Sequence, residues 1–346
     1  MSKTDEIAKL NELTDEEKEA LLSPGEERKP RFVRMSHIKP VDRSKVVSIK
    51  SGLNELDRKI GGFNLGELSI VSGTNGSGKS SWLSQMALEA GRQGHRTIIF
   101  SGELTQERVK QWLMLPAAGI QNLQQTEQAG AYGFKAGIYA KIEAWLDKRV
   151  LLYENSYGTK ADEVISAMTA AAVKIGARVM IIDNLMSLDM SSMGYDKYDK
   201  QTHLVNRLSA LAKETQTHIF FVCHPRKSYG FLRKEDISGS ADLTNAADNV
   251  FIIHRVNTDF KKRIAEVYDS GIVSYLSKYN NVIEVCKNRD LGVQDVTAGM
   301  YFEAGSRRFL NEPGEIKRYG WETCPEEYTK DIDAFRGVTP FESDAT

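Results

Sequence analysis

The octapeptide GTNGSGKS, residues 73–80, has the spacing GxxxxGK[ST]. Gly73, Gly76 and Gly78 let consecutive backbone N–H groups turn inward around phosphate oxygens, with Thr74, Asn75 and Ser77 between them. Lys79 supplies positive charge for terminal phosphates, the Ser80 hydroxyl is a ligand for magnesium, and Ser81 completes the candidate nucleotide-binding residues of the loop. A strand-like run, ELSIVS, precedes the loop and a helix-like run, SWLSQMALEA, follows it. The loop therefore sits at a helix N-terminus, where the dipole favours anions. This chemistry is nucleotide binding.

A phosphate loop alone binds; hydrolysis needs a second magnesium anchor and a group that activates water. Asp183 ends the apolar run RVMIID, where a carboxylate can reach the magnesium shell; the plainer alternative is an aspartate that opens a loop. Glu103 closes IIFSGE and could polarise the attacking water, or be a solvated surface carboxylate. His224 closes HIFFVCH, where a hydrogen-bonding side chain could report the terminal phosphate or could be structural. Lys287 and Arg289 close NVIEVCKNR; an arginine beside a terminal phosphate stabilises transition-state charge. Whose phosphate Arg289 meets is not readable from its position in the chain.

The elements that must position these residues alternate. Short Val/Ile-rich strands, apolar throughout, are separated by helical segments such as 161–175 and HLVNRLSALAKE, where Leu204, Leu208, Leu211 and Ala212 share one face. That pattern predicts an α/β fold with a mostly parallel sheet sandwiched by helices. With 346 residues and 41% hydrophobic content the chain can bury one generous core. Residues 1–47 lack a core pattern and read as a linker with one short docking helix, TDEEKEALL, capped by Thr14. Residues 48–311 form the main domain and 312–346 a C-terminal tail, with seven acidic residues from Glu322 onward. The tail is a solvated segment or a contact for other proteins. Three cysteines without CxxC spacing support neither a disulfide framework nor a zinc site. No apolar run is long enough to span a membrane and the N-terminus is charged, so the expected location is cytoplasmic.

A formal charge of -1 gives no global sign of nucleic-acid binding, so any polyanion contact must be local. The long segment after His224 offers one: Arg226, Lys227, Arg233 and Lys234 for phosphates, and Ser238, Gly239 and Ser240 for close backbone approach. A solvated loop is the alternative.

In order along the chain, SGLNELDRKIGGFNLGEL, the phosphate loop, FSGELTQE, IIDNL, HPRK, SGSADLTNAADNVFIIHR and KNRDLGV resemble the RecA-like motor domain of hexameric replicative helicases, the DnaB and Twinkle group. The resemblance covers about residues 48–311 and implies a RecA-like P-loop NTPase core that uses ATP and Mg2+. It implies Lys79 and Ser80 on nucleotide and magnesium, Glu103 as catalytic base, Asp183 on magnesium and His224 as phosphate sensor. Arg289, with Lys287 beside it, would reach the neighbouring subunit's nucleotide in a homohexameric ring. The loop over about 228–246 would grip single-stranded DNA, and Phe302 would lie against adenine. Family members often place a glycine three residues beyond Gly292, where this chain has Asp295. No primase-like or DnaB-type N-terminal domain is expected ahead of the motor, which resembles a phage or mobile-element helicase moving 5′ to 3′. The rival readings are a RecA, RadA or KaiC-like DNA-stimulated ATPase that does not unwind, and a nucleotide-dependent scaffold ring.

Overall fold

A computed structural model describes residues 32–128, 130–193, 196–226, 231–237 and 241–323. The expected docking helix, residues Lys227, Ser238, Gly239 and Ser240, and the tail beyond Thr323 lie outside the described residues. The chain divides into two units, 1–46 and 47–346. In the first, two short 3-10 turns, Met35–His37 and Arg43–Lys45, are described, the second capped by the Asp42 carboxylate accepting from the Ser44 N–H at 3.1 Å.

The second unit opens with β1 (Ser48–Ile49), α1 (Asn54–Ile60) and β2 (Phe63–Asn64), β1 and β2 pairing antiparallel. Gly61 closes α1 at φ 72°, a left-handed cap that glycine adopts without a Cβ penalty. Then come β3 (Leu68–Ser72), α2 (Lys79–Arg92), β4 (Arg96–Ser101) and α3 (Gln106–Ala118). A hairpin of β5 (Leu123–Gln125) and β6 (Tyr132–Phe134) leads to α4 (Ile138–Asp147), β7 (Val150–Leu152) and α5 (Ala161–Ile175). Next are β8 (Ala177–Asp183), α6 (Lys197–Thr215), β9 (His218–Val222), α7 (Ala241–Ala246) and β10 (Asn249–Arg255). The chain continues with α8 (Thr258–Val267), α9 (Ser270–Leu276), β11 (Asn281–Asn288), β12 (Val296–Glu303), β13 (Arg308–Leu310) and α10 (Gly320–Thr323).

The nine-stranded sheet runs β13-β12-β11-β10-β3-β9-β8-β4-β7. The six strands from β10 to β7 are mutually parallel, whereas β11, β12 and β13 add an antiparallel edge. β3 and β9 are buried at every position, which explains their unbroken apolar sequences. Side chains still alternate between faces. Val71, Phe220 and Phe251 enter one core with Phe63 and Trp82, while Ile70, Phe221 and Ile252 enter the other with Leu204 and Leu208. In the first core the Phe63, Trp82 and Phe220 rings meet edge to face at centroid distances of 5.1–5.8 Å, a favoured aromatic geometry.

The first core extends past the expected boundary at 311. Tyr319 and Trp321 are buried in it, and the Trp321 indole N–H donates to the Ala117 carbonyl at 3.0 Å. Arg308 is buried as well: its guanidinium donates to the carbonyls of Pro116, Ala117 and Lys317, tying the end of α3 to the C-terminal strand. At the turn after β11, Asp295 adopts φ 52°, so an aspartate holds the left-handed conformation that a glycine takes more readily. No helix among the described residues is long and apolar enough to cross a membrane.

Candidate functional site

Because β3, β9, β8 and β4 are parallel neighbours, their C-terminal ends share one rim, the place where ligands bind in open α/β sheets. The phosphate loop leaves β3 there, Asp183 ends β8, Glu103 follows β4 and His224 follows β9. The register pairs Ser101 with Asp183, Ile182 with Phe221 and Val71 with Val222. All four sequence-predicted groups therefore line one cleft of about 1160 Å³.

The phosphate loop turns into α2 at Gly78, whose φ is 100° and where a Cβ would lie 2.7 Å from the Phe309 ring. Glycine is required there by both conformation and contact. The buried Lys79 ammonium donates to the carbonyls of Gly73 at 2.7 Å and Thr74 at 3.0 Å. Burial pushes its pKa down, opposed by the charges of Asp183 and Glu103. The Ser80 hydroxyl donates to Asp183 Oδ2 at 2.9 Å. Burial raises the Asp183 carboxyl pKa, against the lowering effects of the Ser80 hydrogen bond and Lys79.

Asn184, fully buried, joins the two remaining groups. Its Oδ1 accepts from the Met186 backbone N–H at 2.8 Å, which fixes the amide orientation and turns Nδ2 into the cleft. Nδ2 donates to Glu103 Oε1 and, at 2.7 Å, to His224 Nε2. His224 Nε2 also lies 3.2 Å from Glu103 Oε1, so the amide, the carboxylate and the imidazole form one cluster. Gly102 makes this approach possible, since a Cβ there would come within 2.1 Å of the Ser187 side chain. Asn184 adjoins the predicted Asp183, but an uncharged amide carries no signal for this role in the sequence.

Phe302 lines the same cleft, its ring 5.0 Å from that of Phe309. Arg226 also borders it, and its backbone N–H donates to the Asp236 carbonyl at 2.7 Å. Pro225 and Ile237 form an antiparallel bridge beside that bond, so both ends of the segment after His224 are clamped together. Within it, the Arg233 guanidinium reaches the buried Glu284 carboxylate at 3.3 Å, where the His254 ring also bonds at 2.9 Å. Arg233 is thus an anchor of the loop. Lys234 is half-buried at the start of a 3-10 turn, Lys234–Asp236.

Lys287 and Arg289 lie elsewhere. β11 is antiparallel to β10, so Asn281 at its start donates to the Ser77 carbonyl of the phosphate loop, while its far end pairs beside Asn249. Eight strand residues span about 24 Å. Arg289 therefore sits at the opposite rim from its own phosphate loop, bonded to Asp248 at 2.7 Å and to the Asn245 carbonyl at 2.9 Å. Lys287 donates to the carbonyls of Thr244, Asn245 and Ala247 at the C-terminal end of α7. Cys223 and Cys286 are free and buried, and no cluster of three or more metal-ligating side chains occurs among the described residues.

The chain is 25% identical over 253 residues to a DNA helicase/primase of Enterobacteria phage T3, a match covering 66% of this chain and 43% of that protein. It is 24% identical over 272 residues to a Twinkle homolog protein, chloroplastic/mitochondrial, of Arabidopsis thaliana, covering 70% of this chain and 36% of that one. The chain thus spans less than half the length of these curated relatives. Among solved structures it resembles the ATPase domain of G40P, with a TM-score of 0.62 at 16% identity, covering 77% of this chain and 92% of that one. That likeness establishes a shared RecA-like fold. The sequence profile described as DnaB-like helicase C terminal domain matches residues 48–311, and the chain belongs to that family.

Proposed function

We propose that this chain is the ATP-hydrolysing motor of a ring-shaped, homohexameric DNA helicase, cleaving each nucleotide at the boundary between two copies and drawing single-stranded DNA through the centre. The reading places it in the cytoplasm of a bacterial or phage-infected cell. One observation carries it: Lys79, Ser80, Asp183 and Glu103 share a rim that their own Arg289 cannot reach.

The phosphate-loop N–H groups and Lys79 hold the phosphates. Mg2+ fits the pair formed by the Ser80 hydroxyl and the Asp183 carboxylate, hard oxygen donors 2.9 Å apart, with nucleotide oxygens and water completing the shell. When bound, it would neutralise charge on the phosphate oxygens. Glu103 accepts the proton of the attacking water, oriented by the Asn184 amide. The same amide holds His224, so the water activator and the phosphate sensor share one donor group. His224 adjoins the clamp of Pro225 and Arg226 against Asp236 and Ile237, which supports passing the state of the phosphate to a DNA-gripping loop. Arg289 of a neighbouring copy, freed from Asp248, completes charge stabilisation, a contribution of roughly 10³–10⁵ in rate.

The test is strand separation on a forked duplex with ATP and Mg2+, using forks that carry either a 5′ or a 3′ tail. Unwinding that requires the 5′ tail supports the proposal. DNA-stimulated ATP hydrolysis without strand separation favours an ATPase that does not unwind, and hydrolysis indifferent to DNA favours a scaffold ring.

A further inference from the structure

Two adjacent arginines, Arg307 at the end of the turn after β12 and Arg308 at the start of β13, have opposite surroundings. Arg308 is fully buried and spends its N–H groups on three backbone carbonyls. Arg307, at φ 58°, instead lays its guanidinium 4.2 Å from the ring centroid of Trp112 on α3. Its NH1 is shielded from solvent and meets no acceptor, and no carboxylate pairs with it among the described residues. Desolvation alone lowers its pKa, with no opposing acid.

A half-buried cation with neither counter-ion nor full hydration is unfavourable unless a ligand supplies the missing charge. Arg307 and Trp112 line the phosphate-loop cleft, and Trp112 also borders a recess walled by Ser80, Ser84 and Asp183. The stack therefore stands beside the first turns of α2, on the phosphate side of the cleft. Stacking on an indole face holds a guanidinium plane in a fixed orientation while leaving its edge free for oxygen acceptors. We infer that Arg307, held by Trp112, is a phosphate ligand for the nucleotide bound by the same copy, distinct from the Arg289 that serves the neighbour.

This inference rests on the nucleotide-site reading, so its test carries a control for that reading. In the full chain, affinities for a nonhydrolysable ATP analogue, ADP and inorganic tripolyphosphate are measured by titration for wild type, Arg307→Ala, Arg307→Lys and Lys79→Ala. Circular dichroism and thermal unfolding establish that each variant is folded. Arg307→Ala is expected to weaken all three ligands by roughly 10- to 100-fold, the loss of a charge-assisted hydrogen bond. Arg307→Lys, which keeps the charge at the same backbone position, should recover most of the tripolyphosphate affinity. Wild-type affinities in Arg307→Ala, or weakening confined to ADP and the ATP analogue, would overturn the phosphate contact; the second pattern assigns Arg307 to the base or sugar. No recovery in Arg307→Lys overturns it as well. If Lys79→Ala also binds like wild type, the nucleotide site itself is misplaced and the inference falls with it.

Discussion

Asn184→Asp tests whether one amide organises the hydrolytic centre. The substitution keeps an oxygen for the Met186 N–H, so the local turn survives, but it replaces a donor facing Glu103 and His224 with an acceptor. Two carboxylates ~3 Å apart repel by roughly 5 kcal/mol at an effective dielectric of ~20. Half of the Glu103 side chain is in water, and screening reduces this to a few kcal/mol. That still exceeds thermal energy, so Glu103 either takes up a proton or swings away. In both cases the water-activating role proposed for it is lost, and such roles contribute about 10²–10⁴ in rate. Steady-state ATP hydrolysis should therefore fall at least about a hundredfold, while affinity for a nonhydrolysable ATP analogue stays within a few-fold of wild type. Asn184→Ala removes the donor and the turn cap without adding repulsion, so it should hydrolyse faster than Asn184→Asp. Turnover of Asn184→Asp near wild type, or a loss matched by equally weakened nucleotide affinity, would refute the reasoning.

Two further predictions separate other parts of the molecule. Arg233→Ala should leave the buried Glu284 with only His254 and lower the denaturant midpoint, whereas Lys234→Ala should spare stability and reduce the salt dependence of single-strand binding by about one unit of log-log slope; chemical unfolding and salt titrations measure both. His218 is buried with its Nδ1–H donating to the Asn64 carbonyl at 2.7 Å and Nε2 accepting from the Ser69 hydroxyl at 2.8 Å, and burial lowers its pKa from 6.5 to about 4. The unfolded chain then binds the proton first, so stability present above pH 6.5 is lost as pH falls toward 4, by about 2–3 kcal/mol at pH 4.5. Denaturant unfolding of wild type against His218→Phe across that range should show a steeper acid loss in wild type; parallel curves would exclude His218.

Much of the site is legible in the sequence because each of its groups follows a strand that announces itself as an apolar run, and parallel neighbours bring their ends together. Lys79, Ser80, Asp183, Glu103 and His224 are found that way. Asn184 is not, since its role depends on which way an uncharged amide faces, and that is set by the Met186 backbone N–H. NVIEVCKNR reads as one more buried strand, but its antiparallel direction decides that Arg289 faces away from its own phosphate loop. Runs of apolar residues do not encode strand direction. Arg233 looks like a free cation in a charged loop, yet its partner Glu284 lies 51 residues away on β11. The same separation hides Trp321, which directly precedes the acidic tail and is nonetheless core, and Arg308, whose carbonyl partners at Pro116 and Ala117 are far along the chain. Local pattern finds elements and strand-end chemistry; tertiary pairing decides which charged residues are anchors and which face ligands.

The central claim is that each hydrolytic site is shared between two copies, with Glu103 from one and Arg289 from the next. Arg289→Ala and Glu103→Gln chains, each inactive alone, are mixed in equal amounts and allowed to assemble, with mixed rings verified by differential tagging. Random assembly gives about a quarter of the interfaces both an intact Glu103 and an intact Arg289. The account predicts that ATP hydrolysis reappears in proportion to those interfaces. Verified mixed rings that hydrolyse no faster than the separate variants would contradict it.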